Sequence, residues 1–476
     1  MITAIRFVVG ALVLPFSISA QDRTSYVIDN VNVVDVAAGR VIPQQRVVIT
    51  GSRIVGVGAA NAVPTPPGAN IVNAAGKYLI PGLWDMHVHV APGAMAGQML
   101  GLFLANGVTG VRDMGTGVEA LVTLRSAVST GQVLGPRIVG AGVLVDGEPI
   151  VYPGITLRAT TPDGVRKVVD SLAGRGVNFI KAYEMLRPEV YLALAEQARA
   201  RGLPYAGHLP LMVSAEDAVR AGHRSFEHLR NLEVSCSSKA DSLRAVARQM
   251  IEAGNGQPGM RLRGSIHATL RPRAYDTYDD AKCRALVAQM AQAGVWQTPN
   301  LVLATQNVFR HDTTDFMRRW LPYLPAPMRE SFQRAGEPGR GSQRPSTASR
   351  GTEWMMRLAK MLHDAGVRVL PGSDFPNPVM MPGPSLHEEL ALLVRAGLTP
   401  AEALRAGTLN PAIYLGATDS LGTISPGKLA DVVLLDADPL QDIRHVARVH
   451  AIWRGGRYLS RSALDVMLEG FAKATR

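Results

Sequence analysis

The chain has 476 residues, of which 47% are hydrophobic and 19% charged. That balance excludes a disordered chain and fits two or three domains, or one large barrel with a satellite. The formal charge is +11, but its arginines are scattered through helix-like segments without any nucleic-acid module signature, which reads as a solvated surface and excludes a nucleic-acid partner.

Residues 1–20 read as a signal peptide, with Arg6 ahead of an apolar run from Phe7 to Phe16 and small residues Ser17, Ser19 and Ala20 marking cleavage near Ala20. No later segment is apolar enough to span a bilayer, so the expected mature protein is secreted or periplasmic, without an integral membrane segment. Cys236 and Cys283 then meet an oxidising compartment. A single disulfide and two buried thiols both fit their placement.

From 21 to 80 the texture is β-branched runs broken by turn residues, as in YVIDNVNVVDV and QQRVVITGSRIVGVG, with Thr50, Gly51 and Ser52 at a tight turn. Residues 415–476 answer with GTISPGKLADVVLLDADPL and VHAIWRGGRYL, the latter hinged on Gly455 and Gly456. One small β-sandwich built from both termini is the economical expectation. Between them, over 81–414, short apolar strands alternate with amphipathic helices, and strand candidates end near His89, Asp113, Gly142, Lys181, His208, His228, Thr298 and Asp374. Eight such strands predict an α/β architecture, a (β/α)8 TIM barrel. Two insertions, near 232–280 and 307–350, follow strand ends and therefore belong on the face where such barrels place their sites; lids and disordered decoration both fit the second.

The chemistry starts at YLIPGLWDMHVHV, Tyr78 to Val90. Strand residues two apart share a face, so His87 and His89 project side by side as half of a metal site. Lys181, His208, His228 and Asp374 close other strands. A lone histidine at such a place is usually a packing residue, but strand C-termini in a barrel converge on one mouth, and a buried lysine and aspartate cost several kcal/mol unless paired or coordinated.

These motifs resemble the amidohydrolase superfamily, in particular its imidazolonepropionase-related and prolidase-like secreted members. The resemblance rests on PGLWDMHVH, GVTGVRDMG, FIKAYE, the GH and FEH strand ends, GSD, SLHEEL, LTPAEALRAGTLNPA and GTISPGKLADVVLL, and covers nearly all of the mature chain. It implies that His87, His89 and Asp374 hold a buried metal and His208 and His228 a more exposed one. Lys181 would bridge them as N6-carboxylysine, because an ammonium has no lone pair to offer a cation. Two divalent cations, zinc first and manganese, iron or cobalt as alternatives, would activate water and polarise a carbonyl. Asp374 would serve as the general base and then acid.

The substrate implied is a small-molecule amide, a dipeptide or an N-acyl amino acid. Tyr183, Arg230, Thr298, Asn300 and His387 are candidates to face it, Arg230 by pairing with a substrate carboxylate or, equally, by bridging to a loop acid. Arg112 and Asp113 read as a supporting ion pair, and His223, His267, His311, His363, His445 and His450 as surface or packing residues. Competing readings are a mononuclear cyclic-amide hydrolase or deaminase, against which Lys181 argues, an esterase or lactonase, and a non-catalytic binding protein on a degenerate barrel.

Overall fold

A computed structural model describes residues 24–90, 96–254, 256–309, 313–336, 346–377 and 380–474. The segment read as a signal peptide, and His311, lie outside them.

The β-branched runs of the N-terminal region become β1 (Ser25–Asp35), β2 (Arg40–Thr50), β3 (Arg53–Ala59), β4 (Asn70–Asn73) and β5 (Tyr78–Pro81). The parallel strands that follow are β6 (Leu83–Val88), β7 (Val108–Asp113), β8 (Arg137–Gly140), β9 (Leu144–Asp146), β10 (Thr156–Arg158), β11 (Ile180–Ala182), β12 (Tyr205–Gly207), β13 (Ser225–Glu227), β14 (Trp296–Thr298) and β15 (Arg368–Val369). Near the C-terminus come β16 (Val432–Leu435), β17 (Val449–Arg454) and β18 (Arg457–Ser460).

Strands from both termini join in one mixed sheet of order β18-β17-β16-β5-β1-β2-β3, with β4 beside β1. Its free edge curls back, since Ile54 N–H donates to Lys428 O at 2.9 Å and Ala430 N–H to Ser52 O at 2.8 Å. Ile28, Ile49, Leu79, Leu434 and Trp453 fill the space so enclosed. Gly455 and Gly456, both at positive φ, form the two-residue turn between β17 and β18, the conformation that hairpin turns demand.

The remaining strands form two parallel sheets, β6-β7-β8 and β10-β9-β11-β12-β13-β14-β15. Every residue of β6 and β7 is buried, the signature of a parallel sheet covered on both faces. Gly110 in β7 is required by the close approach of Trp84, whose ring a Cβ there would meet at 2.2 Å. Hydrogen bonds connect the two sheets at both edges: Met86 N–H to Pro371 O at 2.8 Å beside a parallel bridge from Val88 to Phe375, and Asn178 N–H to Gly140 O at 2.9 Å. The fold is α/β, with parallel strands in an order consistent with a barrel.

Two departures from expectation bear on the site. The strand predicted to end at Gly142 stops at Gly140, because Gly142 turns to φ 74° and its carbonyl accepts from Thr116 and Gly117; β9 and β10 follow as extra short strands. The first insertion is ordered as helices Leu232–Ser235, Ala240–Ala253 and Gly259–Asp276, and Cys236 and Cys283 are joined by a disulfide at its ends. Within the second insertion the described residues include helices Thr313–Trp320, Ala326–Gly336 and the start of Ser346–Asp364.

Candidate metal centre

Backbone hydrogen bonds between neighbouring strand ends set the positions of the candidate ligands. Asp374 N–H donates to His87 O at 2.7 Å, His89 N–H to Phe375 O at 2.6 Å, and His228 N–H to Thr298 O at 2.7 Å. His228, Leu229, Asn231, Asn300 and Asp374 all adopt left-handed φ between 50° and 63°. Such conformations cost of order 1–3 kcal/mol each and persist where surrounding structure over-determines them.

The side chains meet at one cavity of about 440 Å³, lined by His89, Lys181, Tyr183, His208, His228, Arg230 and Asp374 among others. Asp374 is the hub: Oδ1 lies 3.3 Å from His87 Nε2 and 3.4 Å from His89 Nε2, and Oδ2 lies 3.8 Å from His228 Nε2. The His228 ring sits 4.5 Å from that of His87 and 4.7 Å from that of His208. The donor atoms of His87, His228 and Asp374 all lie within 4.8 Å of one another.

The opposite ring nitrogens of His87, His89 and His208 are spoken for, which leaves their Nε2 lone pairs to the site, whereas His228 Nδ1 is buried without a partner. His87 Nδ1 pairs with Glu227 Oε2 at 2.7 Å, His89 Nδ1 with Gly115 O at 2.6 Å, and His208 Nδ1 with Glu184 Oε1 at 2.6 Å. Carboxylates and carbonyls holding the far nitrogen are the arrangement that orients metal-bound imidazoles. Burial keeps three rings neutral: it drives His87 and His228 well below the ordinary histidine value and His208 down to about 4. Burial alone would raise the Asp374 carboxyl, but its neighbours His87, His89 and Lys181 hold it below the ordinary carboxylate value.

Lys181 is 1% exposed, and its Nζ lies 3.5 Å from His87 Nε2. No carboxylate among the described residues forms an ion pair with it, and burial pulls it down to about 8. A set of buried neutral imidazoles, one carboxylate and an unpaired lysine amine fits divalent cations once the lysine carries an acidic cap, and fits poorly without them.

Several residues have roles that sequence reading did not assign. Arg112 pairs with Glu227, Nη2 lying 2.8 and 3.0 Å from its two oxygens, and not with Asp113, which accepts from Val90, Gly115 and Thr116. The expected Arg112–Asp113 pair is thus replaced by a guanidinium that braces the partner of His87. His267 is no surface residue: its Nε2 lies 2.6 Å from Glu184 Oε2. Arg263, from the same helix, donates to Glu184 Oε1 from Nε and Nη2 at 3.0 and 2.7 Å. Their spacing of four along Gly259–Asp276 was the one available signal, since it places both on one helix face.

Of the substrate candidates, Tyr183 and Arg230 line the cavity, and the Tyr183 ring lies 4.3 Å from that of His208. Arg230 Nη1 is 3.7 Å from Glu184 Oε1 and stays partly exposed. Asn300 is buried with both amide atoms unpartnered and lines an adjoining cavity of about 510 Å³ that shares His228 and Arg230. Thr298 lies beneath the site, its hydroxyl accepting from Arg112. His387 is a correction: its Nε2 is spent on Asn106 O at 2.8 Å and it lines neither cavity, because its helix turns that face into the core. His223 packs against Phe226 and bonds to Tyr191, whereas His363, His445 and His450 are partly exposed.

The amidohydrolase family model matches residues 78–459, from the strand before the histidine pair to the last hairpin. The chain belongs to the amidohydrolase family. Members are hydrolases that typically use divalent metals on carbon–nitrogen bonds. This amidohydrolase is 23% identical to ochratoxinase of Aspergillus niger over 409 residues, 80% of this chain and 75% of that protein. Matches to imidazolonepropionases are shorter: with that of Deinococcus deserti it shares 40% identity over 101 residues, 20% of this chain and about a quarter of the relative's length. Among solved structures, a bottromycin amidohydrolase superposes with a TM-score of 0.72 at 24% identity, covering 96% of this chain and 92% of the other. A Xaa-Pro dipeptidase with methionine bound in its active site superposes with a TM-score of 0.65 at 18% identity, covering 92% and 100%.

Proposed function

We propose that this amidohydrolase is a secreted or periplasmic enzyme with two divalent cations, zinc in the simplest case, that hydrolyses the amide bond of a dipeptide or N-acyl amino acid. The observation that supports the reading is the meeting of His89, Lys181, His208, His228 and Asp374 at one cavity with Arg230 in its wall and His87 buried directly behind Asp374. In this reading the parallel strands form a closed (β/α)8 barrel over 81–414 and the terminal strands a sandwich. His87, His89 and Asp374 hold one cation, His208 and His228 the other, and N6-carboxylated Lys181 lies between. The leader-like first twenty residues and the joined cysteines support export; no helix among the described residues is long and apolar enough to cross a membrane.

The cations, when bound, lower the pKa of water and polarise the scissile carbonyl. The residues of the chain do the rest. Asp374, ionised and facing the cavity, takes the proton from attacking water and returns it to the leaving nitrogen as the carbon–nitrogen bond breaks, giving a carboxylate and an amine. Arg230 has a guanidinium free enough to accept a substrate carboxylate, while Arg263, committed to Glu184, contributes positive charge to the same wall. Tyr183 supplies an apolar face beside His208.

One observation favours a one-cation enzyme: among the described residues, His87, His228 and Asp374 form the only group of three or more His, Cys, Asp or Glu whose ligand atoms all lie within 4.8 Å of one another. The buried amine of Lys181 favours two, because a single-cation site leaves it without an anion or a task. Metal counting on purified protein separates the readings. Screening the metal-loaded protein against dipeptide, N-acyl amino acid, lactam and lactone libraries tests the reaction: turnover confined to lactones sinks the amide reading.

A further inference from the structure

A third cavity, also of about 440 Å³, lies at the opposite ends of the strands. Its lining residues sit where strands begin: Trp84 in β6, Phe179 just before β11 and Arg224 just before β13, strands whose far ends carry the site, and Arg137 in β8. Arg125 and Arg454 bring the guanidiniums in its lining to four, and among the described residues no aspartate or glutamate lines the cavity.

The charge balance is lopsided. Asp431 stands behind the wall and serves two of the four, 2.5 Å from Arg137 Nε and 3.5 Å from Arg454 Nη1, while also accepting from Gly455 N–H at 2.6 Å. Arg125 spends its donors on neutral oxygens, Asn178 Oδ1 and Gly176 O, both at 2.9 Å. Arg224 bonds the Tyr414 carbonyl and lies over its ring at 4.6 Å. The Arg454 side chain is only 10% exposed, and its buried Nε has no hydrogen-bond partner. Burying a guanidinium donor unpaired is costly, and burial lowers the basicity of Arg454 accordingly. Guanidiniums that share one carboxylate between them attract an external anion, with bidentate geometry available to sulfonate, phosphate or carboxylate groups. Trp84, Phe179 and Tyr414 give the same cavity an aromatic wall.

We propose that this cavity is a second, non-catalytic binding site for a small organic anion with two acidic groups on an apolar body, held by Arg125, Arg137, Arg224 and Arg454 against Trp84 and Tyr414. The acidic groups pair with the guanidiniums; the body lies on the aromatic wall.

Naphthalene disulfonate is a suitable probe, because sulfonates bind divalent cations weakly and so avoid the metal centre. Titrated into the full-length protein and followed by tryptophan quenching and calorimetry, it is expected to bind saturably, with one site per chain. Arg125→Gln removes an outer, partly exposed guanidinium and is expected to weaken binding at least roughly tenfold, the equivalent of one charge-assisted hydrogen bond. Arg454→Met is expected to weaken it further, and Arg125→Gln carries the test if that variant does not fold. Lys181→Ala, at the opposite strand ends, and Arg40→Gln, on the remote surface, are expected to leave it unchanged. Sulfate at matched ionic strength is expected to compete poorly, as it lacks the body. Non-saturable binding, equal weakening by Arg40→Gln, or equal potency of sulfate overturns the proposal.

Discussion

Glu184 Oε1 holds His208 Nδ1 at 2.6 Å, and this one buried carboxylate also receives Arg263 and His267 from the helical insertion, with Arg230 at 3.7 Å. Burial alone would raise its pKa, but Arg263 and His267 hold it well below the ordinary range, so it stays ionised. The insertion is therefore tied to the candidate metal centre through a single anion.

Glu184→Gln leaves the Arg263 guanidinium buried without its counter-charge. Removing one partner of a buried pair costs about 3–5 kcal/mol, and the variant is expected to lose stability on that scale in urea denaturation. A loss under about 1 kcal/mol, the range of surface pairs, shows that the cluster is solvated.

Asp374→Asn keeps the shape of the ligand and removes the proton acceptor. Turnover on the best substrate from the library screen is expected to fall by about 10²–10⁴, with metal content by mass spectrometry close to that of the unaltered protein. Near-normal turnover sinks the general-base role.

Lys181→Ala is expected to lose at least one cation per chain, and dialysis against a chelator to abolish hydrolysis and lower the melting temperature. Intact-mass analysis under native conditions is expected to find the mass of one carbon dioxide on the unaltered protein and none on the variant. Full metal occupancy in Lys181→Ala removes the bridge from the mechanism.

Asp146 offers a pH test away from the cations. Burial pushes its carboxyl from an ordinary 3.8 up to about 8, although it accepts from Met185 and Gly147 N–H groups, and Oδ2 has no partner. A raised folded-state value means that the native chain holds the proton more tightly than the unfolded one. This contribution is fully present below 3.8 and is lost as pH rises through about 8. Asp146→Asn, with an amide in place of the protonated carboxyl, is expected to flatten the fall in melting temperature across that window. An unchanged slope shows that Asp146 is not the responsible group.

How much of this was legible in the chain follows from which signals are local. The pairing of His87 with His89 is a period of two on a strand, and the strand-closing positions of Lys181, His208, His228 and Asp374 are visible wherever an apolar run meets turn residues. Even the hairpin on Gly455 and Gly456 is local, because only glycine adopts its positive φ freely. The sequence by itself therefore determined the parallel-strand α/β texture, the terminal strands and the six candidate ligands.

Tertiary structure decided the partners. Arg112 reaches Glu227 and not its neighbour Asp113, because adjacent strand residues point to opposite faces and the buried guanidinium had to find an anion across 115 residues of chain. Glu184, Arg263 and His267 looked like parts of separate segments until the helix Gly259–Asp276 brought its side chains onto Glu184, and His387 left the substrate list once its helix buried it against Asn106. Long-range pairing of buried charges depends on which surfaces come together, and local periodicity carries no record of that.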